Sequence, residues 1–230
     1  MTLIEFQNIT KIYRPGEVPV RALDKVTLKI KEGEFIAIKG PSGSGKSTLM
    51  HVMGFLDASD SGVYKFEGKP IKAFEEEALA EIRNKKVGFI FQSFYLLPRM
   101  SAKENVMLPL IYANKSEKDQ ERIAIKNLKL VGLGDRIDHK PNELSGGQQQ
   151  RVAIARALAN DPEIIFADEP TGNVDSKSAL GIMKVLKALN KDGRTIIMIT
   201  HDKNVASYAH RIITLEDGKI MSDKPNPKHK

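Results

Sequence analysis

One run in the chain has residue types and spacing suited to holding phosphate. Gly40-Pro41-Ser42-Gly43-Ser44-Gly45-Lys46-Ser47 follows the pattern G-x-x-x-x-G-K-[ST]. It lies between an apolar β-branched run, Ile36 to Ile38, and a helical stretch that begins near Lys46 and continues through Thr48. Glycines in such a loop let backbone N–H groups turn inward around a polyphosphate, and the helix N-terminus adds partial positive charge. Lys46 is the residue to reach the β- and γ-phosphates, and the Ser47 hydroxyl is the one to ligate Mg²⁺. Composition alone produces the pattern in a chain of this length about once in a hundred, and the flanking strand and helix make chance rarer still. A guanine nucleotide requires N-K-x-D. The nearest stretch, Asn114-Lys115-Ser116-Glu117, ends in Glu, so an adenine nucleotide is expected.

Downstream, Ile164-Ile165-Phe166-Ala167-Asp168-Glu169 is an apolar strand ending in two acids. Beside a phosphate loop, Asp168 suits the Mg²⁺ shell, and Glu169 can orient or deprotonate a water in line with the γ-phosphorus. Taken alone, the pair reads equally well as a helix cap before Pro170. Another buried strand, Thr195 to Thr200, ends in His201-Asp202. A histidine at the carboxyl end of such a strand faces the ligand crevice and can hydrogen-bond a γ-phosphate.

A third run, Leu144-Ser145-Gly146-Gly147-Gln148, opens a helix carrying Arg151, Val152, Ile154, Ala155 and Leu158. Ser145 and Gln148 have the spacing of a capping box, and the two glycines are expected to leave the helix end uncovered. Such an end attracts an anion. A well-capped helix is the plain reading. Because the chain already holds a complete phosphate cradle, a second anion-seeking end points instead to a γ-phosphate bound between two copies of the chain.

The elements that must position these residues are legible in outline. Phe35 to Ile38, Val87 to Phe91, Ile164 to Phe166 and Thr195 to Ile199 are continuously apolar, as strands buried on both faces are. Helical stretches separate them, which predicts an α/β fold: a P-loop NTPase core with a mostly parallel sheet. Up to about Asp24 the chain reads as an antiparallel β layer with a turn at Pro15-Gly16. From Ser93 to Ala159 helical patterns dominate; Ser116 can cap a helix with Asp119 three residues on, and Ala124, Leu128 and Val131 then share a face. The reading is a single domain over 1–230. Residues 1–92 and 160–230 form its α/β core, and an inserted helical subdomain, 93–159, carries the Ser145 run. The Lys-rich stretch from Lys219 to Lys230, with Pro225 and Pro227, reads as a solvated end.

Composition sets outer bounds. With 230 residues, 41% of them hydrophobic, the chain can bury a sizeable core, and a formal charge of +7 permits a polyanionic partner. The charges are mixed along the chain rather than gathered in a stripe. The absence of cysteine excludes disulfide scaffolds, Cys-ligated zinc and thiol catalysis. No apolar run approaches the roughly 18 residues of a membrane span, so work at a membrane requires recruitment by another subunit.

Leu144 to Gln148, taken with the phosphate loop, Asp168-Glu169 and His201, resembles the ATP-binding subunit of an ABC transporter over essentially the whole chain, with the motifs in the family's order. The resemblance implies that Tyr13 stacks on adenine. It also implies that Gln92 joins the Mg²⁺ and attacking water to the helical subdomain, and that the loop at Asn173-Val174-Asp175 lets two active sites communicate. The family's usual Ala-Leu-Asp is altered in that loop, so the role rests on Asp175. Phe91-Gln92-Ser93-Phe94-Tyr95-Leu96-Leu97-Pro98, Gln148-Gln149-Gln150-Arg151, Asp168-Glu169-Pro170-Thr171-Gly172-Asn173 and the extended turn from Arg14 to Val20 are similar to the MacB and LolD branch. Members of that branch power lipoprotein release or macrolide and peptide efflux. The resemblance thus implies a cytoplasmic ATPase, peripheral on the inner face of the membrane. It would form a head-to-tail homodimer around two Mg-ATP, with Ser145, Gly146 and Gly147 of one copy facing the phosphate loop of the other. Phe94, Tyr95, Leu96 and Leu97 are candidates for contact with a transmembrane permease subunit; a small apolar cluster buried in the insert is the plainer alternative. An ABC-type ATPase of DNA repair or ribosomes is the rival. Long heptad insertions or paired ATPase domains, which those proteins carry, are missing here, so no nucleic acid partner is expected. Glu169 and His201 argue against a module that binds ATP without hydrolysing it.

Overall fold

The structure, a computed structural model, describes every residue except Pro15, Glu17 and Lys230. In chain order its elements are β1 (Thr2–Tyr13), β2 (Val20–Lys31), β3 (Phe35–Lys39), α1 (Lys46–Met53), β4 (Ser61–Phe66), β5 (Lys69–Pro70), α2 (Glu76–Lys86), β6 (Val87–Ile90), α3 (Ala102–Tyr112) and α4 (Glu117–Leu130). There follow α5 (Gly146–Ala157), β7 (Ile164–Asp168), α6 (Ser176–Lys191), β8 (Thr195–Ile199), α7 (Lys203–Ala206), β9 (Arg211–Glu216) and β10 (Lys219–Pro225). The described residues form two compact units, 1–80 with 193–230, and 81–192.

The first unit contains an antiparallel layer in the order β2-β1-β4-β5 and a second set of strands in the order β10-β9-β3-β8. In the latter, β3 pairs parallel with both β8 and β9, while β10 closes the edge antiparallel to β9. All five residues of β8 and the first four of β3 are buried, as their unbroken apolar runs predict. The antiparallel layer extends beyond Asp24. Val26, Leu28 and Ile30 of β2 are buried while Thr27, Lys29 and Lys31 face outward, the period-2 alternation of a strand covered on one face. The expected turn at Pro15-Gly16 and the extended turn from Arg14 to Val20 fall on Pro15 and Glu17, outside the described residues. The Tyr64 ring stacks on Phe55 at 5.4 Å, and its hydroxyl donates to the Met53 carbonyl at 2.6 Å, fastening the layer to the end of α1. Burying each such aromatic is worth about 2 kcal/mol.

The Lys-rich end is largely solvated as read, but it is also an ordered edge of the sheet. Lys219 to Pro225 form β10, and Asn226 is 3% exposed. The Asn226 side chain donates to the carbonyls of Ser207 at 3.2 Å and Ala209 at 2.6 Å, and its backbone N–H donates to His210 at 2.7 Å. Lysine and proline are the residues that blunt an edge strand, so the composition of a solvated tail and that of a sheet edge coincide.

The second unit pairs β6 parallel with β7. Between them lie α3, α4 and α5, with no strand among the described residues, as the helical reading of Ser93 to Ala159 expects. Each helix starts at a serine cap: Ser101 accepts from the N–H of Glu104, Ser116 from Asp119 and Ser145 from Gln148. Ala124 and Leu128 of α4, Val106 and Leu110 of α3, and Val152 and Ala153 of α5 are fully buried.

Candidate functional site

In the first unit the phosphate loop is shaped by close backbone approach. A Cβ at Gly40 would collide with the carbonyl of Leu215 on β9, and one at Gly45 would collide with the carbonyl of Ala22 on β2. Gly43 and Gly45 have φ of +78° and +95°, conformations that L side chains rarely adopt. The Gly218 N–H donates to the Ser44 carbonyl at 3.0 Å, so the β9–β10 turn holds the loop from outside. The Lys46 ammonium donates to the Pro41 carbonyl at 2.6 Å, spanning the mouth of the loop. α1 begins at Gly45 with no side-chain cap and no acid in its first turn, which suits an anion at its N-terminus.

Two further predicted residues share this unit. Ile38 of β3 pairs with Ile199 of β8, so the parallel register brings Gly40 and His201 out at the same end of the sheet. His201 is exposed there, between buried Thr200 and Asp202, which caps α7 by accepting from Asn204 and Val205. Tyr13, at the end of β1, donates its hydroxyl to Asp57 at 2.7 Å. Lys11 donates to the other Asp57 oxygen at 2.5 Å, and its ammonium lies 5.1 Å from the centre of the Tyr13 ring. Burial works to raise the Asp57 pKa, but hydrogen bonds from Lys11 and Tyr13 outweigh it and hold the carboxyl below its ordinary value. Burial and Asp57 push the Tyr13 phenol up. Asp57 has no motif around it, and sequence reading missed it.

The second unit gathers the remaining residues. Ile90 of β6 pairs with Ala167 of β7, so Phe91-Gln92 and Asp168-Glu169 leave the sheet at the same end. No helix begins at Pro170, and the next one starts at Ser176, which removes the helix-cap alternative for the two acids. Instead Glu169 has φ of 44°, and its carbonyl accepts from the Gly172 N–H at 2.9 Å in a tight turn. Gln92 and Asn173 bond reciprocally: the Asn173 amide donates to the Gln92 backbone carbonyl at 3.0 Å, and the Gln92 amide nitrogen to Asn173 Oδ1 at 3.4 Å.

The capping box of α5 is present in both directions, with the Ser145 N–H donating to Gln148 Oε1 at 2.8 Å and the Gln148 N–H to Ser145 Oγ at 3.3 Å. Of the two glycines expected to leave this end uncovered, Gly146 is partly exposed and Gly147 is not. Gly147 is buried, and a Cβ there would collide with the Ser178 hydroxyl on α6; its missing side chain lets the two helix starts pack together. Ser145 remains exposed. Asp175 is the N-cap of α6, accepting from Lys177 and Ser178 at 3.0 Å each, and its hydrogen bonds to Ser178 hold its carboxyl below the ordinary value.

Phe94 to Leu97 form a partly open turn. Tyr95 is 65% exposed and Leu97 41%, while Phe94 and Leu96 are half-buried. Phe94 and Tyr95 have φ of 55° and 48°. Arg156 of α5 donates to both of their carbonyls, at 2.7 and 2.6 Å. Fully buried Asn105 accepts from the Leu97 N–H at 2.8 Å and donates to the carbonyls of Leu97, Met100 and Ser101. Sequence reading missed both residues. Asn105 had a signal, a polar residue one position before the buried Val106.

Residues 23–172 match the ABC transporter family. The chain is 53% identical over 222 residues to the macrolide export ATP-binding/permease protein MacB of Chlorobaculum tepidum, covering 96% of this chain and 34% of that protein. It is 51% identical over 219 residues to an uncharacterised ABC transporter ATP-binding protein of Methanocaldococcus jannaschii, covering 95% and 98% of the two chains. The solved dimeric structure of a post-hydrolysis state of the ATP-binding cassette MJ0796, bound to ADP and Pi, superposes with a TM-score of 0.90 at 46% identity, covering 97% of this chain and 98% of that one. The chain therefore spans about a third of the length of its MacB relatives and nearly all of the shorter ones. A family match that runs from β2 through the phosphate loop, the Ser145 run and the acid-tipped strand makes this chain a member of the ABC transporter family.

Proposed function

We propose that the chain is an ATP-hydrolysing subunit that closes head-to-tail on a second copy of itself around two ATP molecules and powers a membrane-embedded partner of the MacB type. The observation that carries the reading is the phosphate loop: two glycines with no room for a Cβ, an uncapped helix start, and an ammonium bonded across the loop mouth. These features suit a polyphosphate. On this reading Lys46 takes the β- and γ-phosphates, His201 hydrogen-bonds the γ-phosphate, Tyr13 stacks on adenine, and Glu169 orients or deprotonates the attacking water. Glu169 is held in a left-handed conformation unusual for a non-glycine residue, the kind of strain that concentrates at functional sites.

Among the described residues no cluster of three His, Cys, Asp or Glu could hold a metal, so a cation here would depend on phosphate oxygens as well. The Ser47 hydroxyl, the Asp168 carboxylate and the Gln92 amide oxygen are hard donors that fit Mg²⁺, which when bound would neutralise phosphate charge. Gln92 commits its amide nitrogen to Asn173, leaving the oxygen end for that role. Ser145, Gly146 and Gly147 of the second copy face the γ-phosphate, and Asp175, at the start of α6, passes the state of one site to the other. No helix among the described residues is long and apolar enough to cross a membrane. The membrane subunit would dock on the partly open turn from Phe94 to Leu97, where Tyr95 and Leu97 present their side chains to solvent. The inner face of the membrane is then the place of work.

The deciding experiment is the solution mass of Glu169→Gln by light scattering, with and without Mg-ATP. Removing the carboxylate traps both nucleotides, so a monomer should become a dimer only when ATP is present. A monomer under verified ATP saturation would refute closure by two copies alone. For the docking turn, Tyr95→Ala with Leu96→Ala should abolish pull-down of the membrane partner; retained pull-down would move the contact elsewhere.

A further inference from the structure

We infer that Gln150, met so far only in the resemblance to the MacB and LolD branch, is a positioning residue for hydrolysis. Its one side-chain amide ties together the backbone on either side of the site, next to Gln92 and next to Glu169. The inference rests on the reading of Gln92 and Glu169 just given.

Gln150 lies on α5 and is 0% exposed. Its Nε2 donates to the carbonyl of Pro170 at 2.7 Å and to that of Phe91 at 3.3 Å. Pro170 follows Glu169 directly, and Phe91 directly precedes Gln92. Two carbonyl partners fix the orientation of the amide, because only its NH₂ end can donate. The other end is then committed to the interior, where Oε1 is buried with no hydrogen-bonding partner among the described residues. A buried acceptor left unmade is unfavourable, and an apolar side chain of the same length would fill the space without it. Packing alone therefore does not account for an amide at this position. Its two donated bonds do.

Those bonds close a circuit. From Gln150 it runs through Phe91 to Gln92, across the reciprocal pair to Asn173, back along the turn in which Gly172 bonds the Glu169 carbonyl, and through Pro170 to Gln150 again. Within it Glu169 keeps its left-handed φ, a conformation that persists only where the surroundings over-determine it. Gln150 is also five residues along the same helix from Ser145, about 7.5 Å of rigid rise. A displacement of the Ser145 end is thus delivered to Gln92 and Glu169 at once, through one side chain.

The test is steady-state ATP hydrolysis and equilibrium ATP binding by the whole chain, with thermal melts, for Gln150→Met and Gln150→Asn. Met keeps the length and loses both donors. Asn keeps the amide but is too short to span both carbonyls, and it serves as the readout should Met not fold. We expect kcat to fall about ten- to a hundred-fold in Met and by less in Asn, the scale of effect when reacting groups are misplaced by an ångström or so. ATP affinity should stay within about two-fold of wild type, since neither variant touches the phosphate loop. A folded variant with wild-type kcat, or one that loses affinity while kcat stands, would overturn the inference. A wild-type chain that hydrolyses no ATP would overturn the hydrolysis reading as well; normal wild-type turnover with an equally active Gln150→Met would overturn this inference alone.

Discussion

The phosphate loop of the first unit and the aromatic turn of the second each hold two residues in or near the left-handed region, and they do so by opposite means. In the loop, Gly43 and Gly45 adopt φ of +78° and +95° at little steric cost, and neighbouring carbonyls leave no room for a side chain at Gly40 or Gly45. In the turn, Phe94 and Tyr95 adopt φ of 55° and 48° despite their side chains, held by a guanidinium that arrives from 62 and 61 residues further along the chain. The first conformation belongs to the residue types in the segment. The second is imposed from outside, where a half-buried Arg offers two charge-assisted bonds against the strain. The lesson is that a motif is readable when its geometry is encoded in its own residues, and unreadable when a distant partner enforces it.

The largest test of that contrast is Gly45→Ala, which should destabilise the chain by about 3 kcal/mol or more, since a Cβ meets backbone that cannot yield. ATP binding should be lost in the same variant. Gly43→Ala sharpens the point: its Cβ meets open space, so only the left-handed strain of about 1–2 kcal/mol remains. Equal urea midpoints for the two variants would break the argument from close approach. Arg156→Met comes next, at about 2 kcal/mol for two charge-assisted bonds, with ATP affinity unchanged because the loop is shaped by its own glycines. A weakened affinity there would show that the two regions are not independent.

Ser145→Ala should cost about 1 kcal/mol in urea unfolding, the usual value of an N-cap, without altering ATP binding to the single chain. If the serine also serves a partner's γ-phosphate, the ATP-dependent dimer of the Glu169→Gln background should be lost with it.

The smallest effect concerns Asp57. Its folded-state pKa lies below its ordinary value of about 3.9, so its contribution is fully present above that pH and disappears as pH falls through the folded value. Wild type should therefore exceed Asp57→Asn by at most about 1 kcal/mol near neutral pH, because water reaches the pair. The gap should hold at higher pH and close as pH falls below that ordinary value and through the lowered folded one. A gap independent of pH would mean that the carboxylate charge contributes nothing.

Capping and periodicity were readable for the same reason as the loop. Ser116 with Asp119 and Ser145 with Gln148 complete their bonds within three residues, and strands such as Thr195 to Ile199 carry their burial in their own apolar run. Gly147 shows the limit. Two glycines after Ser145 look like exposed backbone, yet one is buried to admit Ser178 of α6. The tail shows it again. Lysines and prolines describe surface correctly, but only the pairing of β10 with β9 and the buried Asn226 anchor that surface to the fold.

What the sequence determined by itself is the local chemistry: the phosphate cradle, the acid-tipped strand, the capped helix starts and the α/β alternation, each set by residue types within a few positions of one another. What only the tertiary structure decided is how those pieces are held. Asp57 beside Tyr13, Asn105 and Arg156 behind the aromatic turn, and Gln150 between Gln92 and Glu169 are single polar side chains that meet partners outside their own element, from 4 to 62 residues away. The physical reason is that a hydrogen bond depends on distance and angle in space. Sequence spacing encodes those only inside one element.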